Sequence, residues 1–382
     1  MTTEEAQSRN IRSLHRDELE DWLVTAGHPR YRCDQLLGWL YNRRVSSWDA
    51  MGNLPKALRE AVSQEFEIGL PELVRQQGSL DTTKKYLWRL SDGALIESVL
   101  IPANPGQLGG ASDRKTLCVS TQVGCAYGCK FCASGLDGWK RNLSPDEIVG
   151  QIVAAENQIH ADLAEDEARK GGEGEELRRR IDNLVFMGMG EPLANYPRLI
   201  KALSILNAEW GAGIGARRIT ISTSGLVPQI KQLADEPPQF RLAISLHGST
   251  DEVRDKIMPV NKRYPLAELT EACEYFIEKR GKMITLEYIL IAGVNDDLEL
   301  TESLGALALR LRAKVNLIPY NKVDGLEWQR PSEAKQELFY RALFRQGVTV
   351  TLRREKGHDI DAACGQLRLK AEKSTQANEA LS

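Results

Sequence analysis

The chain has 382 residues, of which 42% are hydrophobic and 27% charged, and its formal net charge is −3. That length holds one large domain and a smaller one, and the composition is that of a globular protein, not of a collagenous or low-complexity chain. No global basic field advertises nucleic acid, so any such binding must come from a local patch. Seven cysteines over such a length make no disulfide framework, the N-terminus carries no apolar signal core, and no run reaches membrane-span length. A reducing, cytoplasmic setting without membrane contact is expected.

Residues 1–68 read as a helical domain. The segment 14–26 spaces Leu14, Leu19, Trp22 and Leu23 at helical intervals and stops at Gly27-His28-Pro29; amphipathic segments follow at 33–42 and 55–66. Between residues 29 and 59 six basic side chains (Arg30, Arg32, Arg43, Arg44, Lys56, Arg59) meet two acids, interleaved with Tyr31, Trp39, Tyr41 and Trp48. Basic residues among aromatics suit phosphate contacts and base stacking. They suit equally a small helical domain with solvated arginines and core tryptophans. Residues 84–102 alternate as strands about a Ser91-Asp92-Gly93 turn and end at Pro102, ahead of a glycine-rich loop at 104–112. The stretch 69–114 is therefore a β extension and linker.

From Lys115 strands and helices alternate. Strands are expected at 115–120, 183–187, 218–222, 241–246, 284–291, 314–318 and 348–352, with helices at 145–159, 196–209, 227–234, 265–279, 298–311 and 332–346. Cores such as Leu242-Ala243-Ile244 are continuously apolar, as parallel strands covered by helices should be. About six βα units make a parallel barrel left open because it falls short of eight, with functional residues at the C-terminal strand ends. Residues 115–352 form this domain and 353–370 a C-terminal segment. The charged stretch 160–180 reads as a solvated insertion, and the polar tail 371–382 as disordered.

The chemistry concentrates in Cys125-Ala-Tyr-Gly-Cys129-Lys-Phe-Cys132. Four thiolates would complete a zinc site or a fully ligated iron–sulfur cluster, whereas three leave one metal corner open. A structural zinc site would need a partner knuckle, and the sequence offers none. Farther on, strand ends carry Gly188-Met189-Gly190-Glu191-Pro192, Ser222-Thr223-Ser224-Gly225, Ser245-Leu246-His247-Gly248 and Pro319-Tyr320-Asn321. Glycines let the backbone approach a ligand, and Glu191 supplies a carboxylate for an ammonium group. The serines and threonines serve equally well as helix N-caps. Cys33 and Cys273, on amphipathic helices, read as inert buried thiols. Cys118 and Cys364, the latter in Asp359-Ile-Asp-Ala-Ala-Cys364-Gly365, lie just before the three-thiol loop and past the last strand.

The three-thiol loop resembles the cluster loop of the radical S-adenosylmethionine (SAM) superfamily. Nearly the whole chain is similar to that superfamily's adenine-C2 RNA methyltransferases, through Tyr31-Arg32, Leu54-Pro55-Lys56, Ile96-Glu97-Ser98-Val99-Leu100-Ile101-Pro102, the cluster loop, residues 187–193, Ser245-Leu246-His247 and residues 359–365. The resemblance implies an α/β fold, an open parallel (β/α)6-type radical SAM barrel with an N-terminal helical RNA-binding domain. It implies one 4Fe-4S cluster on Cys125, Cys129 and Cys132, and two SAM per turnover. SAM contacts fall on Gly190, Glu191, Ser222, Ser245, Leu246, His247 and Asn321. By the same resemblance Cys364 carries the methyl group, Cys118 frees the product and leaves a transient disulfide, and Glu97 accepts the C2 proton. Without the resemblance Glu97 reads as an exposed strand carboxylate. The implied partners are 23S rRNA, tRNA and an electron donor such as flavodoxin with its reductase, and RNA contacts are assigned to Arg30, Arg32, Arg43 and Arg44. The sister activity at C8 of the same adenine shares the two-cysteine mechanism and stays an alternative. A radical SAM enzyme with auxiliary clusters would need a second group of cysteines, and the remaining four are scattered.

Overall fold

A computed structural model describes residues 9–79, 82–102, 114–136, 138–170, 179–353, 366–369 and 371–372, with side chains to residue 165 in the fourth of these stretches. The N-terminal module comprises β1 (Arg9–Asn10), α1 (Arg16–Thr25), α2 (Arg32–Leu37), α3 (Lys56–Glu65) and β2 (Phe66–Glu67), with one π turn at Gly38–Asn42 after α2. Pro29 and Pro55 precede the second and third helices, where a missing N–H costs nothing. Leu19, Leu23, Cys33, Leu36, Leu40, Leu58 and Val62 are all buried, so each helix turns its apolar face inward. Arg12 is buried too. Its guanidinium reaches the Ile68 and Val45 carbonyls, both at 2.6 Å, and so ties the start of the module to its end.

The stretch expected to be a separate β extension is part of the main sheet. β3 (Glu72–Gly78), β4 (Lys84–Arg89) and β5 (Leu95–Pro102) pair antiparallel, and β5 continues antiparallel onto β6 (Lys115–Cys118). The hairpin β7 (Gln122–Gly124) and β8 (Trp139–Asn142) brackets the three-thiol loop. There follow α4 (Pro145–Lys170), β9 (Asn183–Phe186), α5 (Tyr196–Asn207), β10 (Ile219–Thr223), α6 (Val227–Asp235), β11 (Arg241–Ser245), α7 (Asp251–Ile257), α8 (Leu266–Arg280), β12 (Thr285–Leu290), α9 (Leu300–Arg310), β13 (Lys314–Pro319), α10 (Glu333–Arg345) and β14 (Val350–Leu352). The strands form one ten-stranded sheet in the order β14-β13-β12-β11-β10-β9-β6-β5-β4-β3. All neighbours from β14 to β6 are parallel. The order is linear, so the barrel is open as expected.

Two helices depart from expectation. The helix beginning at Pro145 runs to Lys170 and takes up half of the supposed insertion, because Ala161, Leu163 and Ala164 continue its pattern. Glu156, buried in that helix, accepts N–H bonds from Arg180 (3.0 Å) and Ile181 (2.7 Å), and so fixes the start of β9. The short helix α7 was masked by its charges; Thr250 caps it through the Val253 N–H. Among the described residues no helix is long and apolar enough to cross a membrane.

The module meets the barrel through polar contacts: Ser13 with Asp146 at the first turn of α4 (2.5 Å), Asn157 with the Arg44 carbonyl (3.0 Å), and Lys201 with Glu18 (2.6 Å). Arg12→Ala would strand two buried carbonyls and leave a void. We expect a loss of about 2–4 kcal/mol in urea denaturation, checked against Arg16→Ala, whose partners Glu20 and Asp34 lie at the surface and whose loss should cost under about 1 kcal/mol.

Candidate active site

A cavity of about 350 Å³ opens at the C-terminal ends of the parallel strands. Cys125, Cys129 and Cys132 line it, together with Cys118. The loop is drawn shut by the Cys125 N–H on the Gly138 carbonyl (3.0 Å), by the Cys132 N–H on Cys129 (3.1 Å), and by the Lys130 N–H on the Ile257 carbonyl (2.9 Å). Burial pushes the Cys125 thiol up to about 12 and the Cys129 thiol well above its usual range. As free thiols they are neutral; a metal would hold them as thiolates. Among the described residues no three ligand side chains converge as one metal ion requires. A 4Fe-4S cluster puts each thiolate on a different iron and so asks for three thiols on one shared space; Cys125, Cys129 and Cys132 all line the one cavity.

The strand ends supply the opposite wall. Gly190, Glu191, Ser222, Ser245, His247 and Asn321 all face the cavity. Leu246 is buried but does not line it, and its carbonyl accepts from Arg254. Gly190 has φ +97°, and a Cβ there would stand 2.5 Å from Gln122; only glycine lets this turn press against β7. Gln122 in turn accepts the Glu191 N–H (2.9 Å). The Glu191 carboxylate is engaged by protein: it accepts the Ser224 N–H (2.7 Å), the Ser224 hydroxyl (2.8 Å) and the Leu193 N–H (3.1 Å). Burial pushes its pKa up against those bonds. Its remaining lone pairs are what it can offer a ligand. The hydroxyls of Ser222 and Ser245 meet at 3.2 Å, and the buried Asn321 Oδ1 has no hydrogen-bond partner. A cavity with an orphaned amide oxygen on its wall fits an amine- or hydroxyl-bearing ligand.

His247 has φ +54°, a strained value for a side-chain-bearing residue. The buried Asn295 holds it there, donating to the His247 and Ile289 carbonyls (2.7 and 2.6 Å) while accepting the Ile291 N–H. The Ile289 N–H donates to His247 Nδ1 (3.1 Å), and the ring stands edge-on to Phe131 of the thiol loop at 4.9 Å. Asn295 gave no signal in the sequence, nor did Glu287, a buried carboxylate on the cavity wall that accepts from Asn316 at 2.6 Å. Burial pushes the Glu287 pKa up.

Cys118 is buried and registered opposite Val99 of β5, another wall residue. Cys33 and Cys273 are buried away from the cavity. Cys364 lies outside the described residues, and among those described no disulfide exists. Glu97 is not the exposed carboxylate its strand pattern suggests. It is 2% exposed, paired with the fully buried Lys85 at 2.9 Å, and it accepts the Arg368 N–H at 2.6 Å. It does not line the cavity. The C-terminal turn Gln366–Leu369 is packed over it, an effect that no local sequence pattern encodes.

The N-terminal patch holds three of its four arginines at the surface. Arg30 and Arg43 are exposed and Arg32 half-buried; Arg43 stacks over Trp39 (4.2 Å) and Arg32 over Tyr31 (4.8 Å). Arg44 is corrected: it is buried beside α4, where burial lowers its pKa, and it offers no surface contact.

The His247 geometry sets a pH test. Burial, then the nearby Arg254 charge, push its pKa down from 6.5 to about 3, so the folded protein keeps the ring neutral. The unfolded chain takes up a proton below about 6.5, so this contribution is whole above that pH and is lost as pH falls toward 3. Between pH 6 and 4 the stability of the wild type should fall relative to His247→Gln by roughly 1.4 kcal/mol per pH unit, read from urea midpoints; parallel curves would refute the burial argument.

Two family models match the chain: the ribosomal RNA large subunit methyltransferase N-terminal domain over residues 9–68, and the radical SAM superfamily over residues 168–304. The chain is 57% identical to a probable dual-specificity RNA methyltransferase RlmN 3 of Opitutus terrae, over 92% of this chain and 91% of that one. It is 52% identical to a probable dual-specificity RNA methyltransferase RlmN of Akkermansia muciniphila, over 93% and 94%. Its fold is similar to the crystal structure of a radical SAM methyltransferase from Sphaerobacter thermophilus, with a TM-score of 0.83, 42% identity, and coverage of 94% of this chain and 98% of that one.

Proposed function

The chain belongs to the RlmN family of radical SAM RNA methyltransferases, and we propose that it methylates C2 of one adenosine in 23S rRNA and of the adenosine beside the anticodon in some tRNAs. The observation that carries this reading is the meeting of four thiols and a set of polar strand ends on one cavity. A C8 methyltransferase would share that cavity, so the choice of C2 rests on the family. The reaction runs in the cytoplasm.

Cys125, Cys129 and Cys132 would hold one 4Fe-4S cluster, which, with an electron donor such as flavodoxin, would supply the reducing chemistry that turns SAM into a carbon radical. The chain's own residues do the rest. Ser222, Ser245, His247 Nε2 and Asn321 Oδ1 orient SAM, with Gly190 and Glu191 close to its amino group. Cys364, as thiolate, takes the methyl of one SAM by displacement, and a second SAM serves radical formation. The SAM-derived radical removes one hydrogen atom from the methyl on Cys364, and the methylene radical left there adds to adenine C2, which is electron-poor between two ring nitrogens and would not attack a methyl cation. The one electron left over on the adduct returns to the oxidised electron donor. The family resemblance gives the C2 proton to Glu97, whose carboxylate is held outside the cavity by Lys85 and the Arg368 N–H in this structure. Cys118 then attacks the Cys364 sulfur, forming an S–S bond as the bond from that sulfur to the new methyl carbon breaks. Arg368, anchored to Glu97, supports this pairing: Cys364 precedes it by four residues, a reach of no more than about 14 Å.

Two measurements test the reading. Cys364→Ala should transfer no methyl to protein or RNA. Cys118→Ala should accumulate protein joined to RNA by a thioether that thiol reductants leave intact, seen on denaturing gels with and without RNase. Near-normal turnover of Cys118→Ala without such a crosslink rejects the two-cysteine scheme. Separately, charge reversal at Arg30 and Arg43 should weaken RNA binding by an order of magnitude or more at moderate salt and flatten its salt dependence, sparing SAM cleavage without RNA. Equal binding would return the patch to a plain solvated surface.

A further inference from the structure

Arg254, on α7, is completely buried at the back of the cavity. Its Nε donates to Asn261 Oδ1 (2.8 Å), one terminal nitrogen to the Ser245 and Leu246 carbonyls, and the other to the Ser224 carbonyl (3.0 Å). Every one of these acceptors is neutral. Of the acids beside it in sequence, Glu252 is exposed, and Asp251 and Asp255 are turned onto Asn261 Nδ2 (3.0 and 2.9 Å). A buried cation without a contacting carboxylate is expensive, by several kcal/mol in general, so its partner should be looked for in what the cavity binds.

The thiol loop is pinned to the same helix, through the Lys130 N–H on the Ile257 carbonyl (2.9 Å). A Cys129 thiolate, the form a metal would hold, would keep the Arg254 pKa up, ahead of Asp251. Burial lowers the Arg254 pKa only to about 10, so it stays charged at neutral pH. Gly248 makes room for it: a Cβ there would stand 2.9 Å from Arg254 Cγ.

We propose that Arg254 is the built-in counter-charge of the iron–sulfur site, a fixed cation that favours the more negative, one-electron-reduced state and so raises the cluster's reduction potential. Net charge and dielectric around a cluster are what set such potentials. The inference rests on reading Cys125, Cys129 and Cys132 as the cluster ligands. It assigns Arg254 a role through charge, distinct from the hydrogen bonds by which it also holds the strand ends.

Full-length wild type, R254K and R254Q would be reconstituted anaerobically and titrated with dithionite and viologen mediators, without SAM, while the electron paramagnetic resonance signal of the reduced cluster is followed. R254Q should shift the reduction equilibrium at least tenfold toward the oxidised form, a drop of 59 mV for a one-electron couple. R254K, which keeps the charge but not the planar four-contact fork, should stay nearer to wild type than to R254Q. An unchanged potential in R254Q, or R254K as low as R254Q, overturns the proposal. Should R254Q fail to fold, D255N replaces it: removal of that exposed opposing carboxylate should raise the potential, and no change would equally overturn the proposal. A wild-type protein that takes up no cluster would instead reject the ligand assignment on which the inference stands.

Discussion

One residue, Ser224, stands between two buried opposite charges. Its N–H and hydroxyl face the Glu191 carboxylate, and its carbonyl faces the Arg254 guanidinium. In a low-dielectric interior neither charge would be tolerated alone, and each is held by oriented dipoles more than by direct contact with the other. Much of the cavity follows from this. Glu191 brings the end of β9 against β10 and, through Gln122, against the hairpin that frames the thiol loop. Arg254 brings the ends of β10 and β11 together with the helix that pins the loop's far side. The four structures that must meet for chemistry share one electrostatic joint.

The same need to satisfy buried polar groups explains why a strained His247 persists. Its left-handed backbone costs of order 1 kcal/mol or more, offset by three bonds through Asn295 and one onto its own ring. The ring is thereby kept neutral with Nδ1 as acceptor, which leaves its proton on Nε2. A neutral donor beside Phe131 and the thiol loop suits a ligand-binding role better than an acid–base one.

Much of this was legible in the sequence. The parallel strands announced themselves as apolar runs, because both faces are covered: Leu242, Ala243 and Ile244 are all buried. The thiol loop declared itself by spacing, and the polar tripeptides fell at strand ends because in such sheets those ends face the site. What could not be read depends on distant chain. Glu97 looked exposed because its cover comes from residues about 270 positions away, bonded through Arg368. Arg44 looked like a surface charge because α4, which buries it, is more than a hundred residues on. Arg254 sits in Asp251-Glu-Val-Arg-Asp-Lys, a run that reads as a solvated helix, and only the tertiary fold turns that one side chain inward. The strands β3 and β7 were missed because glutamines and glycines weaken their alternation, and β8, Trp139-Lys-Arg-Asn, because it is short and mostly polar.

The foot of the charged insertion is closed on itself. Glu156 fixes the Arg180 and Ile181 amides, and Asp182 exchanges backbone and side-chain bonds with Lys115 (2.9 and 3.0 Å), so α4 and β9 are locked together whatever chain runs between them. For a loop so clamped, doubling its length adds only about 0.6 kcal/mol of closure entropy. Chain added between Lys170 and Arg179 would therefore leave the junction of α4 with β9 intact, because that junction is closed by Glu156 and not by what runs between them.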